Sequence, residues 1–207
     1  GKFEFKFYGD VIFGLNARSK LLELINNNNW HNICIVIDQN LLNLKIINDL
    51  INSLNTSNCK IINCDISEPT YEKLEEKRME LKDCEVDLFV GIGGGSALDM
   101  AKGLSVLASN DGSAISYRGF DKFNEPILPI IAIPTTAGTG SEITPNASFI
   151  DNNDKRKMGI NGEAIRPRYS ILDPELTLSC PQGPTISAGV DSLVHATEAF
   201  VAKNSNP

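Results

Sequence analysis

"VDLFVGIGGGSALDMAKG" (86–103) is the stretch whose reading decides the fold. Its first part is a nearly unbroken apolar run, as expected of a strand buried on both faces. Its second part reads as helix, and Gly93, Gly94 and Gly95 stand at the bend. Three successive residues without Cβ let backbone N–H groups approach an anion closely. Ser96 is a good N-cap, and Asp99 three positions on completes an S-x-x-D arrangement related to the capping box. A pyrophosphate placed there would meet free amides and the positive end of the helix dipole. The loop departs from G-x-G-x-x-G, because Ser96 stands where the last glycine would. It also departs from the Walker pattern, because Lys102 is not followed by Ser or Thr and lies inside the helix. A tight strand-to-helix turn without any ligand would satisfy the same residues, so the loop alone leaves both readings open.

Outward from this unit the chain alternates strand and helix. "NICIVID" (32–38) and "KIINCD" (60–65) read as strands, as does "ILPIIAIPTT" (127–136). "LKIINDLINSL" (44–54) is an amphipathic helix, with Leu44, Ile47, Leu50, Ile51 and Leu54 on one face, and "TYEKLEEKRMELKDC" (70–84) a charged one. This order predicts βαβ units and a parallel sheet, hence an α/β domain. After residue 140 the pattern changes: "ASFIDNNDKRKMGI" (147–160) reads as two extended pieces joined by "DNND".

A second loop narrows the ligand. "PTTAGTGSE" (134–142) follows the strand ending near Thr136 and presents hydroxyls and bare backbone. Ligands of open α/β sheets bind beyond the carboxyl ends of the strands, and two such loops suggest one long ligand, a dinucleotide. Asp38 closes another strand, where a carboxylate can accept hydrogen bonds from an adenosine ribose and repel a 2′-phosphate, favouring NAD over NADP. A strand-end Asp that merely starts a turn is the competing reading.

Composition excludes several classes. The 207 residues carry 26 acidic and 19 basic side chains, a formal charge of −7, which argues against nucleic-acid or anionic-membrane partners. Hydrophobic residues make up 42%, enough for a substantial core. No apolar run reaches the length of a membrane span, and no signal-peptide core is present, so a cytoplasmic protein is expected. The five cysteines, an odd count without a CxxC, read as reduced thiols.

In "SAGVDSLVHATEAF" (187–200), Asp191 and His195 lie four apart in a predicted helix, on the same face, as two metal ligands would. A solvated or structural pair satisfies the same spacing. Ser187, Asp191, His195 and Glu198 form a polar stripe beside Val190, Leu193, Val194 and Val201. The helix begins near Pro184, after the connection "DPELTLSCPQGP" (173–184), and a domain boundary is expected between 178 and 179.

"GGGSALDMAK", "PTTAGTGSE", "DPELT" and "GVDSLVHATEAF" occur in the order found in the iron-containing (group III) alcohol dehydrogenases, which the chain resembles from "VIFG" (11–14) to its last residue. The resemblance implies a dehydroquinate synthase-like fold, with a Rossmann-like parallel-sheet domain (1–178) followed by the beginning of an all-helical metal-binding domain (179–207). It implies that Gly94, Gly95 and Ser96 hold the NAD pyrophosphate, with Asp99 supporting the turn. Thr135, Thr136 and Thr139 would line the adenosine and ribose side, and Ser141 the diphosphate–nicotinamide end. Asp38 falls at the ribose-reading position, Lys157 near the cofactor and Leu178 near the nicotinamide. Asp191 and His195 match the first two metal ligands, with Fe(II) first and Zn(II) second.

The activity implied is reversible hydride transfer between NAD(H) and a small alcohol or aldehyde, in a homodimer or larger assembly of the full-length protein. The family completes its metal site with two further histidines, which this sequence does not supply, so the chain is expected to be a fragment without turnover of its own. Glycerol dehydrogenase and dehydroquinate synthase share the fold and are the nearest alternatives; maleylacetate reductase fits the threonine loop less well. A non-catalytic NAD-binding remnant is the alternative of another class.

Overall fold

The computed structural model describes residues 9–54, 58–65, 68–124, 126–203 and 205. Strands β1 (Asp10–Phe13) and β2 (Ile33–Asp38) flank helix α1 (Lys20–Asn27). Helix α2 (Lys45–Ser53), strand β3 (Cys59–Cys64), helix α3 (Tyr71–Met79) and strand β4 (Leu88–Gly93) follow. Then come helix α4 (Gly95–Ser109), strands β5 (Gly119–Phe120), β6 (Ile130–Pro134), β7 (Asn146–Asp151), β8 (Arg156–Asn161) and β9 (Tyr169–Leu172), and helix α5 (Gln182–Val201).

Six strands form one all-parallel sheet in the order β1-β9-β6-β4-β2-β3. Its central strands obey period two on both faces. Ile33, Ile35 and Ile37 of β2 join Leu88, Val90 and Ile92 of β4 and pack against α1 and α2 through Leu21, Ile25, Ile47 and Leu50. Cys34, Val36 and Phe89 point the other way, into a second core with Leu74 of α3 and Met100 and Leu104 of α4. Helices on both faces of a parallel sheet account for the continuous apolar runs of the sequence.

Read from β3, the order β3-β2-β4-β6-β9 reverses direction between β2 and β4, so consecutive connections diverge there and leave a crevice at the carboxyl ends of those strands. The α/β parallel sheet expected from the sequence is therefore present, and the crevice lies where Asp38 and the glycine turn end their strands. A second, three-stranded sheet, β5-β8-β7, contains the expected 147–160 hairpin, with β7 and β8 antiparallel from Asn146↔Asn161 to Asp151↔Arg156. Phe149 of this hairpin packs on Tyr71 of α3, ring centroids 5.4 Å apart.

Two predicted helix ends move. The expected 70–84 helix stops at Met79, because residues 80–84 tighten into i→i−3 bonds, among them Leu81 N–H to Arg78 O and Cys84 N–H to Leu81 O. Helix α4 starts two residues earlier than a Ser96 cap requires: Gly94, in an extended conformation, is the N-cap, and its carbonyl accepts from the N–H groups of Ala97 and Leu98. Ser96 lies inside the first turn, so the S-x-x-D capping box does not form.

Candidate functional site

The crevice is built from two loops that touch. Gly93 ends β4 at φ +151°, a backbone region L side chains rarely adopt, and a Cβ there would stand 2.8 Å from Cβ of Ala97 and 3.1 Å from Cβ of Asp38. The glycine therefore lets β4 turn directly into α4 beside the end of β2. At Gly94 an added Cβ would stand 3.4 Å from Cγ2 of Thr136; at Gly95, 3.2 Å from Cγ2 of Thr139. The glycine turn and the threonine loop thus face each other across the crevice, at the N-terminus of a fifteen-residue helix.

Thr136 carries the sharpest signal. Its Oγ1 is buried and has no hydrogen-bond partner among the described residues. A buried hydroxyl without a partner costs about 1–3 kcal/mol, so such a group calls for one. A ligand oxygen or ribose hydroxyl reaching it beside Gly94 would supply that partner. Thr135 is buried and anchors its loop by donating its N–H to Gly93 O at 2.9 Å. The Thr139 hydroxyl accepts from the Ser141 N–H at 3.4 Å. Asp38 serves its turn as well: Oδ1 accepts from the backbone N–H and the side-chain amide of Asn40, both at 2.9 Å. Its other oxygen has no partner among the described residues.

Behind the crevice lies a polar knot that the sequence reading did not anticipate. Lys102 is fully buried. Its ammonium donates to Ser141 Oγ at 3.1 Å, Thr144 O at 3.0 Å and Asn146 O at 2.7 Å. Ser141 Oγ in turn donates to Asp99 Oδ1 at 2.6 Å, and the Ser148 N–H donates to Asp99 Oδ2 at 2.9 Å. Asp99 thus supports the threonine loop and β7 rather than the start of its own helix, and the Ser141 hydroxyl is committed between a cation and a carboxylate. Burial pushes the Lys102 ammonium down to about 8, opposed by the Asp99 charge. Burial likewise raises Asp99, opposed by Lys102, Ser141 and the Ser148 amide. Three donated bonds suit a protonated amine, two accepted bonds suit a carboxylate, and Lys102 Nζ stands 3.9 Å from Asp99 Oδ1, the geometry of an ion pair. The readable signal was a Lys three residues after an Asp in a helix otherwise made of Ala, Leu, Met, Gly, Val and Ser.

Residues 9–174 match the family described as iron-containing alcohol dehydrogenase. The chain belongs to that family. It is 42% identical over 140 residues to the NAD-dependent methanol dehydrogenase of Bacillus methanolicus, covering 68% of this chain and 37% of that protein. Against the mitochondrial hydroxyacid-oxoacid transhydrogenase of Xenopus tropicalis it is 32% identical over 205 residues, 93% of this chain and 43% of that one. The crystal structure of sulfoacetaldehyde reductase from Bifidobacterium kashiwanohense in complex with NAD+ superimposes with a TM-score of 0.92 at 27% identity, covering 100% of this chain and 55% of that chain. The chain spans about half, or less, of the length of these relatives.

The remaining expected residues lie on β8, on the turn after β9 and on α5. Lys157 projects from β8 and pairs with Glu68 at 2.9 Å, both about half exposed. Leu178 follows the turn 174–177 and is 83% exposed. Upstream of it, Arg18 holds the connection: its Nη1 lies 2.5 Å from Asp173 Oδ2 and 2.7 Å from Glu175 Oε2. On α5, His195 Nε2 and Asp191 Oδ1 are 3.5 Å apart. A carboxylate oxygen and an imidazole nitrogen at that separation suit one Fe(II) or Zn(II) ion. No group of three His, Cys, Asp or Glu converges on a metal among the described residues.

Proposed function

We propose that this chain carries the NAD-binding part of a metal-dependent alcohol dehydrogenase, which moves a hydride reversibly between NAD(H) and a small alcohol or aldehyde. The observation that carries the reading is the unpartnered Thr136 hydroxyl facing Gly94 across the crevice between β2 and β4. In this reading the amides at the start of α4, at Gly94, Gly95 and Ser96, take the pyrophosphate at the positive end of the helix. Thr136 and Thr139 hold the ribose side from the opposite wall. Asp38 offers its free carboxylate oxygen to the adenosine ribose and disfavours a 2′-phosphate.

Lys157 reaches the cofactor only by leaving Glu68, and Leu178, already exposed, is free to cover an apolar ring face. Asp191 and His195 would hold the metal, which when bound supplies Lewis-acid polarisation of the substrate oxygen. A homodimer or larger assembly and a cytoplasmic setting belong to the same proposal, in keeping with the odd cysteine count and the lack of a CxxC.

Calorimetric titration with NAD and NADP tests the cleft. NAD should bind saturably and NADP more weakly, while Thr136→Val should weaken NAD about tenfold, the value of one hydrogen bond of about 1.4 kcal/mol. Unchanged NAD affinity in that variant would remove the reading. The alternative is a non-catalytic NAD-binding remnant, and alcohol-dependent NADH formation by the isolated chain with Fe(II) would eliminate it.

A further inference from the structure

Helix α5 stands away from the α/β body along nearly all its length. Ala188 is its only buried residue, while Val190, Leu193 and Phe200 are exposed. A Cβ added at Gly183 or Gly189 would meet nothing within 4 Å. Gly138, in the middle of the threonine loop, meets the helix at that one buried position. A Cβ at Gly138 would lie 2.6 Å from the carbonyl carbon of Ala188 and would overlap its oxygen, and Gly138 itself has φ +145°. The contact is backbone against backbone and admits no side chain. Ala188, Asp191 and His195 stand at i, i+3 and i+7, so they share one helical face. This close approach of the threonine loop to α5 is therefore on the face that carries the candidate metal pair.

We infer that the Gly138–Ala188 contact is a positioning joint, through which ordering of the threonine loop by NAD is passed to the helix bearing Asp191 and His195. The inference rests on the reading of the crevice as an NAD site. Neither residue touches the reacting atoms. The joint works because it is short and steric: the Gly138 backbone lies so close to the Ala188 carbonyl that neither element can approach further. A loop that moves on binding must carry the helix with it, and a helix pushed away loses its register with the loop.

Backbone hydrogen exchange of the chain, with and without saturating NAD, tests the joint through a readout independent of turnover. In the wild type, NAD should slow exchange at residues 94–98 and also, by about tenfold, at residues 187–192 of α5. Ala188→Leu, a change made on α5 and outside residues 94–98, should keep the first protection and lose the second. Ala188→Ser, which preserves the close approach, should keep both. Gly138→Ala should behave as Ala188→Leu, and protection at 94–98 would show that the variant is folded. Equal protection of α5 in Ala188→Leu and wild type would overturn the joint, as would a wild-type α5 indifferent to NAD while residues 94–98 respond. No protection anywhere would overturn the NAD reading itself, and the joint with it.

Discussion

Helices α4 and α5 are built from much the same residues, chiefly Ala, Gly, Ser, Leu and Val, with two ionisable groups on α4 and three on α5. Their surroundings are opposite. Ten of the fifteen residues of α4 are buried, including Lys102, whereas α5 buries Ala188 alone among its twenty. Helix α4 is enclosed by the main sheet on one side and by α3 and the β7–β8 hairpin on the other. Helix α5 meets the body at Gly138 and leaves Leu193, Phe200 and Val201 exposed. The difference teaches that apolar content sets what a helix can bury, while the elements around it decide what it does bury.

The largest break in the comparison should come from the ion pair of α4. Lys102→Met strands Asp99 and two carbonyls in a buried site and should lower unfolding free energy by about 3–5 kcal/mol in urea titration. A loss below about 1 kcal/mol would show that the knot is dispensable. Leu104→Ala, in the same helix and fully buried, should cost about 3 kcal/mol by cavity formation.

The pH dependence sharpens the same point. Lys102 titrates near 8 when folded, below its unfolded value of 10.5, so between those values the unfolded chain binds more protons. Stability from this group therefore rises with pH from about 8 towards 10, by at most about 1.4 kcal/mol per unit. Above 10 it is opposed by Tyr71, which burial raises to about 12. The rise should vanish in Lys102→Met, and a fall in the wild type over this window would contradict it. The smallest effect belongs to α5: Leu193→Asp, at a site 68% exposed, should change the stability of this chain by less than about 0.5 kcal/mol.

The strands that period and length reveal were legible, namely β2, β3, β4 and β6, as were all helices from α2 onwards. The short outer strands were not. "DVIF" (10–13) and "YSIL" (169–172) are four residues each, too brief for a pattern, and acquire strand geometry by pairing with each other in register from Asp10↔Tyr169 to Phe13↔Leu172. The candidate site was proposed from two loops and an Asp/His pair, and the structure brings the two loops together. What sequence missed was the connection between them: a capping box was expected around Ser96, where Gly94 caps and Asp99 instead crosses to Ser141 and Ser148. That choice depends on which backbone donors another segment brings within reach, and local spacing carries no information about it.

By itself the sequence determined the class of fold, the family and the two ends of the site, because glycine turns, strand periodicity and an i, i+4 ligand pair are local features imposed by backbone geometry. Tertiary structure alone decided that Thr136 faces Gly94, that Lys102 is enclosed, and that Gly138 meets α5 at Ala188. Each of these needs two segments far apart in the chain to arrive at one place. Close packing, which tolerates no side chain at one contact and no uncompensated charge at another, fixes them there.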